Sequence, residues 1–187
     1  MREDKSSGCD GAVADGRKVR VLIVGFGNPL RSDDGAGWQI AQRISRDLMQ
    51  SGVKVVACQQ LTPELADFAS HAERVLFVDA AHGGVPGEVE CRRVVPAASA
   101  GEHSHELTPA AVLNLAKMLY GHCPPAWLFT IAGESFATGD SLSAAVSAVM
   151  PTLLKRIERF VNSDEATDES GEVDLKKATN KQPTKLE

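Results

Sequence analysis

The sequence predicts an α/β protein, a three-layer α/β/α sandwich. Short apolar runs with strand character, such as Val21 to Val24 and Val75 to Val78, alternate with stretches of helical periodicity. Thr-Pro pairs, the signature of a helix start, occur at Thr62-Pro63 and at Thr108-Pro109. Strands that alternate with helices bury both faces of a mostly parallel sheet.

The elements follow in order. Lys18 to Val24 alternates and then becomes continuously apolar, as a buried strand does. A Gly/Asn/Pro loop follows, GFGNPLRSDDG, and then a helix with Ile40, Ile44 and Leu48 on one face. Gly52 closes that helix, and Val53 to Ala57 reads as the second strand. Thr62 is expected to cap a short helix, with Pro63 at its first position and its end near His71. Val75 to Val78 forms a third strand that ends at Asp79. Glu88 to Val95 is more polar and alternating, as an edge strand is. The link from Asp79 is too short for a parallel crossover of about a dozen residues, so this strand is antiparallel or non-adjacent. Thr108 caps a helix with Ala111, Val112, Leu115, Met118 and Leu119 on one face. Ala126 to Ala132 is the fifth strand. Asp140 or Ser141 is expected to cap the last helix, which carries Leu142, Val146, Val149, Leu153, Ile157 and Val161. Pro151 should kink or split it.

Composition narrows the function classes. The chain has 187 residues, 43% hydrophobic and 24% charged, with net charge −5. Residues 1–17 and 163–187 hold most of the excess acid and are polar, which predicts two solvated tails around one domain, 18–162. No apolar run spans a bilayer, and no basic footprint for nucleic acid is present. The first 17 residues contain no apolar signal-peptide core. Cys9, Cys58, Cys91 and Cys123 are widely spaced and form no CxxC, so no disulfide framework or thiol zinc site is expected. Cys58 and Cys91 fall within strands and read as small buried hydrophobes. A reducing cytoplasm is the expected compartment.

Chemistry in an α/β sheet collects at the loops that follow the strands. Three places stand out: GFGNPLRSDDGAG after the first strand, Asp79 after the third, and Glu102-His103-Ser104-His105-Glu106 before the third helix. Gly25 and Gly27 begin a dinucleotide fingerprint, but its third glycine position is Leu30 and Pro29 interrupts it. Two aspartates would also face the phosphates. Capping of the helix that begins at Gly35 accounts for Asp33 or Asp34, but not for both. Two carboxylates and an imidazole at one sheet edge make an oxygen/nitrogen ligand set for a divalent metal, with positions left open.

At these residues the sequence resembles a known family. GFGNPLRSDDGAG, VDAAHGGVPGEV, HSHELTPAAVLNLA and IAGESFATGDSLSAAV stand in the order seen in the maturation endopeptidases of nickel–iron hydrogenases. The resemblance covers roughly residues 20–160, and QQLTPELA at 59–66 is similar to the branch serving soluble bidirectional hydrogenases. It implies a mixed five-stranded sheet in the order 2-1-3-5-4 with strand 4 antiparallel. It also implies an enzyme that cuts a C-terminal extension from the hydrogenase large-subunit precursor after nickel insertion. The metal-binding triad falls on Asp34, Asp79 and His105. Some members have glutamate at the first position. The histidine directly before Glu-Leu is His105, which selects it over His103. His71, His82 and His122 have no such support. Asn28 and Asp33 are expected to shape the loop or touch the peptide.

There is no HExxH and no Ser/His/Asp signature, so no conventional zinc or nucleophilic protease is written here. The expectation is nickel delivered by the precursor, with no tightly bound cofactor in the free enzyme, which acts as a monomer. A metal-checking chaperone on the same fold and a nucleotide-binding α/β enzyme are the alternatives.

Overall fold

The structure is a computed structural model that describes residues 19–47, 50–98 and 107–163. Of the two tails expected from the sequence, residues 1–17 and 164–187 lie outside the described residues, as do Lys18 and Leu48.

The five strands are β1 (Val19–Phe26), β2 (Val53–Cys58), β3 (Ala72–Ala81), β4 (Val89–Val94) and β5 (Ala126–Ala132). They form one sheet in the order β2-β1-β3-β5-β4. β1 pairs in parallel with β2 and β3, β3 pairs in parallel with β5, and β4 runs antiparallel to β5. This is the expected mixed sheet. The helices are α1 (Ala36–Asp47), α2 (Leu65–Ser70), α3 (Pro109–Tyr120) and α4 (Ala144–Asn162).

Strand alternation divides the core in two. Val21, Ile23, Leu76, Val78, Phe129 and Ile131 pack with Ile40 and Ile44 of α1 and with Val146, Met150, Leu153 and Ile157 of α4. The intervening residues Leu22, Val24, Val75, Phe77 and Leu128 pack with Leu65 and Ala69 of α2 and with Val112, Leu113 and Ala116 of α3. Side chains at successive strand positions point to opposite faces, so each central strand feeds both layers. Both layers being covered explains why these strands read as continuous apolar runs.

Several boundaries differ from expectation, each for a physical reason. β3 continues two residues past Asp79, because Asp79, Ala80 and Ala81 pair in register with Thr130, Ile131 and Ala132. Thr62 and Pro63 form a turn whose carbonyls accept from Leu65 and Ala66, and α2 starts only at Leu65. Thr108 does cap α3, its hydroxyl accepting the Ala111 N–H at 3.2 Å. The cap of α4 is Ser143, which accepts the Val146 N–H at 3.2 Å, and not Asp140 or Ser141. Asp140 instead accepts the Ser141 hydroxyl at 2.9 Å. α4 runs unbroken through Pro151. Pro151 and Ser147 both face solvent, so the carbonyl that loses its helical partner is open to water. Cys58 and Cys91 are half-buried at the margins of the core.

Candidate functional site

Strand order reverses at the gap between β1 and β3: from β1 the chain goes to β2 on one side, and β3 lies on the other. Open α/β sheets present their crevice at such a switch, outside the carboxyl ends of the strands. The loop carrying Asn28, Asp33 and Asp34 leaves β1 there, and Asp79 stands there on β3.

Close backbone approach makes this junction. A Cβ on Gly37 would lie 2.3 Å from the Val78 carbonyl oxygen and 2.5 Å from that of Phe26. The first turn of α1 therefore sits directly on the ends of β1 and β3. Gly27 has φ +126°, and a Cβ on it would lie 1.9 Å from the Asp34 carbonyl oxygen. These two glycines bring the Asp34 segment down onto the end of β1 and toward β3, which carries Asp79.

The two neighbouring aspartates have separate tasks. Asp33 and Asp34 both lie in a single 3-10 turn, Ser32–Gly35, that precedes α1, and neither caps a helix with its side chain. Asp33 is fully buried. Its Oδ2 accepts the N–H groups of Glu134 at 2.8 Å and Ser135 at 2.9 Å, and its Oδ1 accepts that of Ser143 at 2.7 Å. Burial pushes its pKa up, but the N–H groups of Ser135, Ser143 and Glu134 outweigh burial and hold it below the usual value. Asp33 is thus a loop-shaping residue, bound into the β5–α4 connection and withdrawn from any substrate. Ser32, in a left-handed conformation at φ 49°, tightens the same junction: its N–H donates to the Gly139 carbonyl and its hydroxyl to that of Ala137.

Asp34 is half-buried, and its Oδ2 accepts the Asn28 N–H at 2.9 Å. Asn28 folds the loop further, its Oδ1 accepting the Leu30 N–H at 2.9 Å. Asp79 is also half-buried, and its Oδ1 accepts the Ala80 N–H at 2.8 Å. His105 and His103 lie outside the described residues. Two members of the expected triad thus stand on the carboxyl side of adjacent strands, Asp34 in the turn that follows β1 and Asp79 two residues before the end of β3. Among the described residues no group of three His, Cys, Asp or Glu side chains is placed to hold a metal ion. Carboxylates are hard oxygen donors, and an imidazole is the added donor that suits a metal such as nickel or zinc.

The same loop does not fit a pyrophosphate. The N–H groups of Asn28, Leu30, Arg31, Ser32, Asp33 and Asp34 all donate within the protein, and Pro29 has none. A dinucleotide loop keeps those donors for phosphate.

Two features were missed by sequence reasoning. His82, expected to be an ordinary loop residue, stacks on Phe136 with ring centroids 3.6 Å apart. That contact joins the β3–β4 loop to the β5–α4 connection. A cleft of about 160 Å³ opens beside it, lined in part by His82, Glu88, Glu90 and Thr130. Asp79, Thr130 and Glu90 are register partners across β3, β5 and β4, so the cleft lies on the sheet face that carries Asp79. The expected strand order, with strand 4 antiparallel, does not by itself fix which residues face one another across β3, β5 and β4.

The fold and the paired carboxylates define an α/β/α sandwich with an acidic site at its topological switch point. No family model and no curated protein matches the sequence. Solved structures do. The [NiFe] hydrogenase maturation protease HycI from Thermococcus kodakarensis KOD1 superposes with a TM-score of 0.65 at 22% identity, over 79% of this chain and 95% of that one. The hydrogenase maturating endopeptidase HybD from E. coli gives 0.62 at 20% identity, over 76% and 91%. The hydrogenase 2 maturation peptidase from Thaumarchaeota archaeon SCGC_AB-539-E09 gives 0.57 at 20% identity, over 76% and 98%. The chain has the fold of these maturation proteases, nearly over their full length.

Proposed function

We propose that the protein is a peptide hydrolase of hydrogenase maturation. It removes the C-terminal extension of a nickel-loaded large-subunit precursor, with the precursor's nickel as the recognition element. The observation that carries this reading is the placement of Asp34, in the turn after β1, and Asp79, near the carboxyl end of β3, at the switch point of a fold shared with solved maturation proteases.

The chain's residues divide the work. Asp34 and Asp79, joined by His105, offer the oxygen and nitrogen donors that meet nickel held by the precursor. Asn28 holds Asp34 through its N–H, so the carboxylate is preset before the precursor arrives. Asp33 fixes the loop by its three N–H bonds and takes no part in the contact. Docking registers that nickel is loaded and sets the scissile peptide bond at the switch point. Water adds to the carbonyl carbon, the C–N bond breaks, and the leaving nitrogen takes a proton. The precursor's nickel, held against Asp34, Asp79 and His105, would supply Lewis-acid help to that hydrolysis, by polarising the carbonyl or activating the water. The enzyme needs no tightly bound cofactor of its own, and acts as a cytoplasmic monomer. No described helix is long and apolar enough to cross a membrane.

The test compares nickel-loaded with nickel-free precursor, using the full chain and its Asp34→Ala, Asp79→Ala and His105→Ala variants. Mass spectrometry of the precursor should show shortening only when nickel is present, and each variant should lose it. Equal cleavage of both precursors removes nickel as the recognition element, and unimpaired variants remove the site. A precursor that binds but is never shortened points to a metal-checking chaperone.

A further inference from the structure

We propose that the outer edge of β4 binds an extended segment of the precursor as an added strand and feeds it through the neighbouring cleft to Asp79. This rests on the reading of the protein as a precursor-processing peptidase.

β4 is the terminal strand of the sheet. The Glu88 carbonyl accepts the Ala132 N–H at 2.9 Å, which sets the phase of the ladder. Antiparallel pairing alternates, so residues 88, 90, 92 and 94 turn their backbone groups toward β5. Val89, Cys91 and Arg93 turn theirs outward. Among the described residues no strand pairs with that edge, and Arg156 approaches it, its Nη1 donating to the Val89 carbonyl at 3.5 Å. A row of outward N–H and C=O groups is matched by one kind of partner, another extended backbone.

The other edge does not serve. β2 ends at Cys58, which pairs with Phe26 of β1, and both pack against the apolar core on that side. On the β4 side the row is Thr130 and Glu90, and the cleft lies along it. A strand added to β4 lies three strand spacings from Asp79, about 14 Å, which about four extended residues bridge. The cleft occupies that path.

Charge defines the segment further. Glu88 and Glu90 stand at the Asp79 end of the edge, and Arg92 and Arg93 at the far end. Glu90 and Arg92 share one face, two residues apart. The segment that fits carries a basic residue opposite Glu90 and an acidic residue two positions away, opposite Arg92.

Two fluorescein-labelled, end-capped ten-residue Thr/Val peptides serve as probes. One carries Lys and Glu two residues apart in the complementary order, and the other carries them reversed. Against the full chain, anisotropy should show the complementary peptide binding about 5-fold tighter, as two cross-strand ion pairs allow. The double substitution Glu90→Arg with Arg92→Glu should reverse that preference. N-methylation of alternate peptide amides should abolish binding in one phase and spare it in the other. If neither peptide binds, if the reversal fails in variants with wild-type circular dichroism, or if N-methylation has no effect, the edge is not the docking site. The same double substitution should raise KM for precursor with kcat retained. Loss of precursor cleavage by the wild type, with peptide preference intact, defeats the peptidase reading and leaves the edge as a peptide-binding surface. Cleavage with unchanged KM defeats the edge alone.

Discussion

The carboxylate of Asp33 accepts the backbone N–H of Ser143 at 2.7 Å, linking residues 110 apart in the chain. With Glu134 and Ser135, this makes three charge-assisted bonds to one buried side chain. Asn in place of Asp33 presents an NH₂ where an acceptor is needed, leaving at least one buried N–H unmatched. Asp33→Asn should therefore cost about 2–4 kcal/mol in urea unfolding. The pH dependence has a definite sign. The folded pKa lies below the ordinary value of 3.8, so the contribution is complete above that value and is lost as pH falls through the folded pKa. Wild type should lose stability below about pH 4 more steeply than Asp33→Asn does. Parallel acid limbs would show that Asp33 does not couple folding to protons.

Gly37 is the contact on which the α1–sheet junction turns. An added Cβ would meet two backbone carbonyls, those of Val78 and Phe26, and neither can rotate away. Gly37→Ala should cost about 1–3 kcal/mol by overpacking. It should also lift the α1 end, with Asp34, from Asp79, so precursor cleavage should fall further than the fraction unfolded explains. Full activity in the folded variant would show that the spacing tolerates the shift.

How much of this was legible depended on the range of the interaction. The core strands and the Thr108 cap are local signals, read from apolar runs and from a Thr-Pro pair, and they appear as expected. Asp33 shows the opposite case. Its position beside Asp34 invited a capping role, but its partners lie beyond residue 133, and no local pattern connects them. The same distance effect hid the α4 cap: Asp140, Ser141 and Ser143 are all good caps locally, and the Asp33 bond to the Ser143 N–H selects among them. The row from Asp79 to Glu90 depends on register across three strands, which composition does not encode.

Pro151 lies in the middle of α4 on its exposed side, and the helix accommodates it without breaking. The backbone donor missing there still costs stability, offset partly by the stiffer unfolded chain. Pro151→Ala should stabilise the protein by about 1–2 kcal/mol, raising the urea midpoint with no change in the slope m. Destabilisation would show that the proline ring shapes the packing of α4.

Cys91 points toward α4 at the edge of the core, and burial pushes its thiol up to about 11, against the lowering effect of Arg156. The thiolate is the reactive form, and at pH 8 an ordinary thiol is about a quarter ionised. Cys91 should then hold about a thousandth of its population as thiolate, and label with iodoacetamide on the order of 100-fold more slowly than a free cysteine. Peptide mapping by mass spectrometry reads this residue by residue. In urea the difference should vanish, because unfolding removes the burial that causes it. Fast labelling of Cys91 in the native protein would mean that β4 opens from α4 on the reaction timescale, and protection that persists in urea would assign the effect to local sequence.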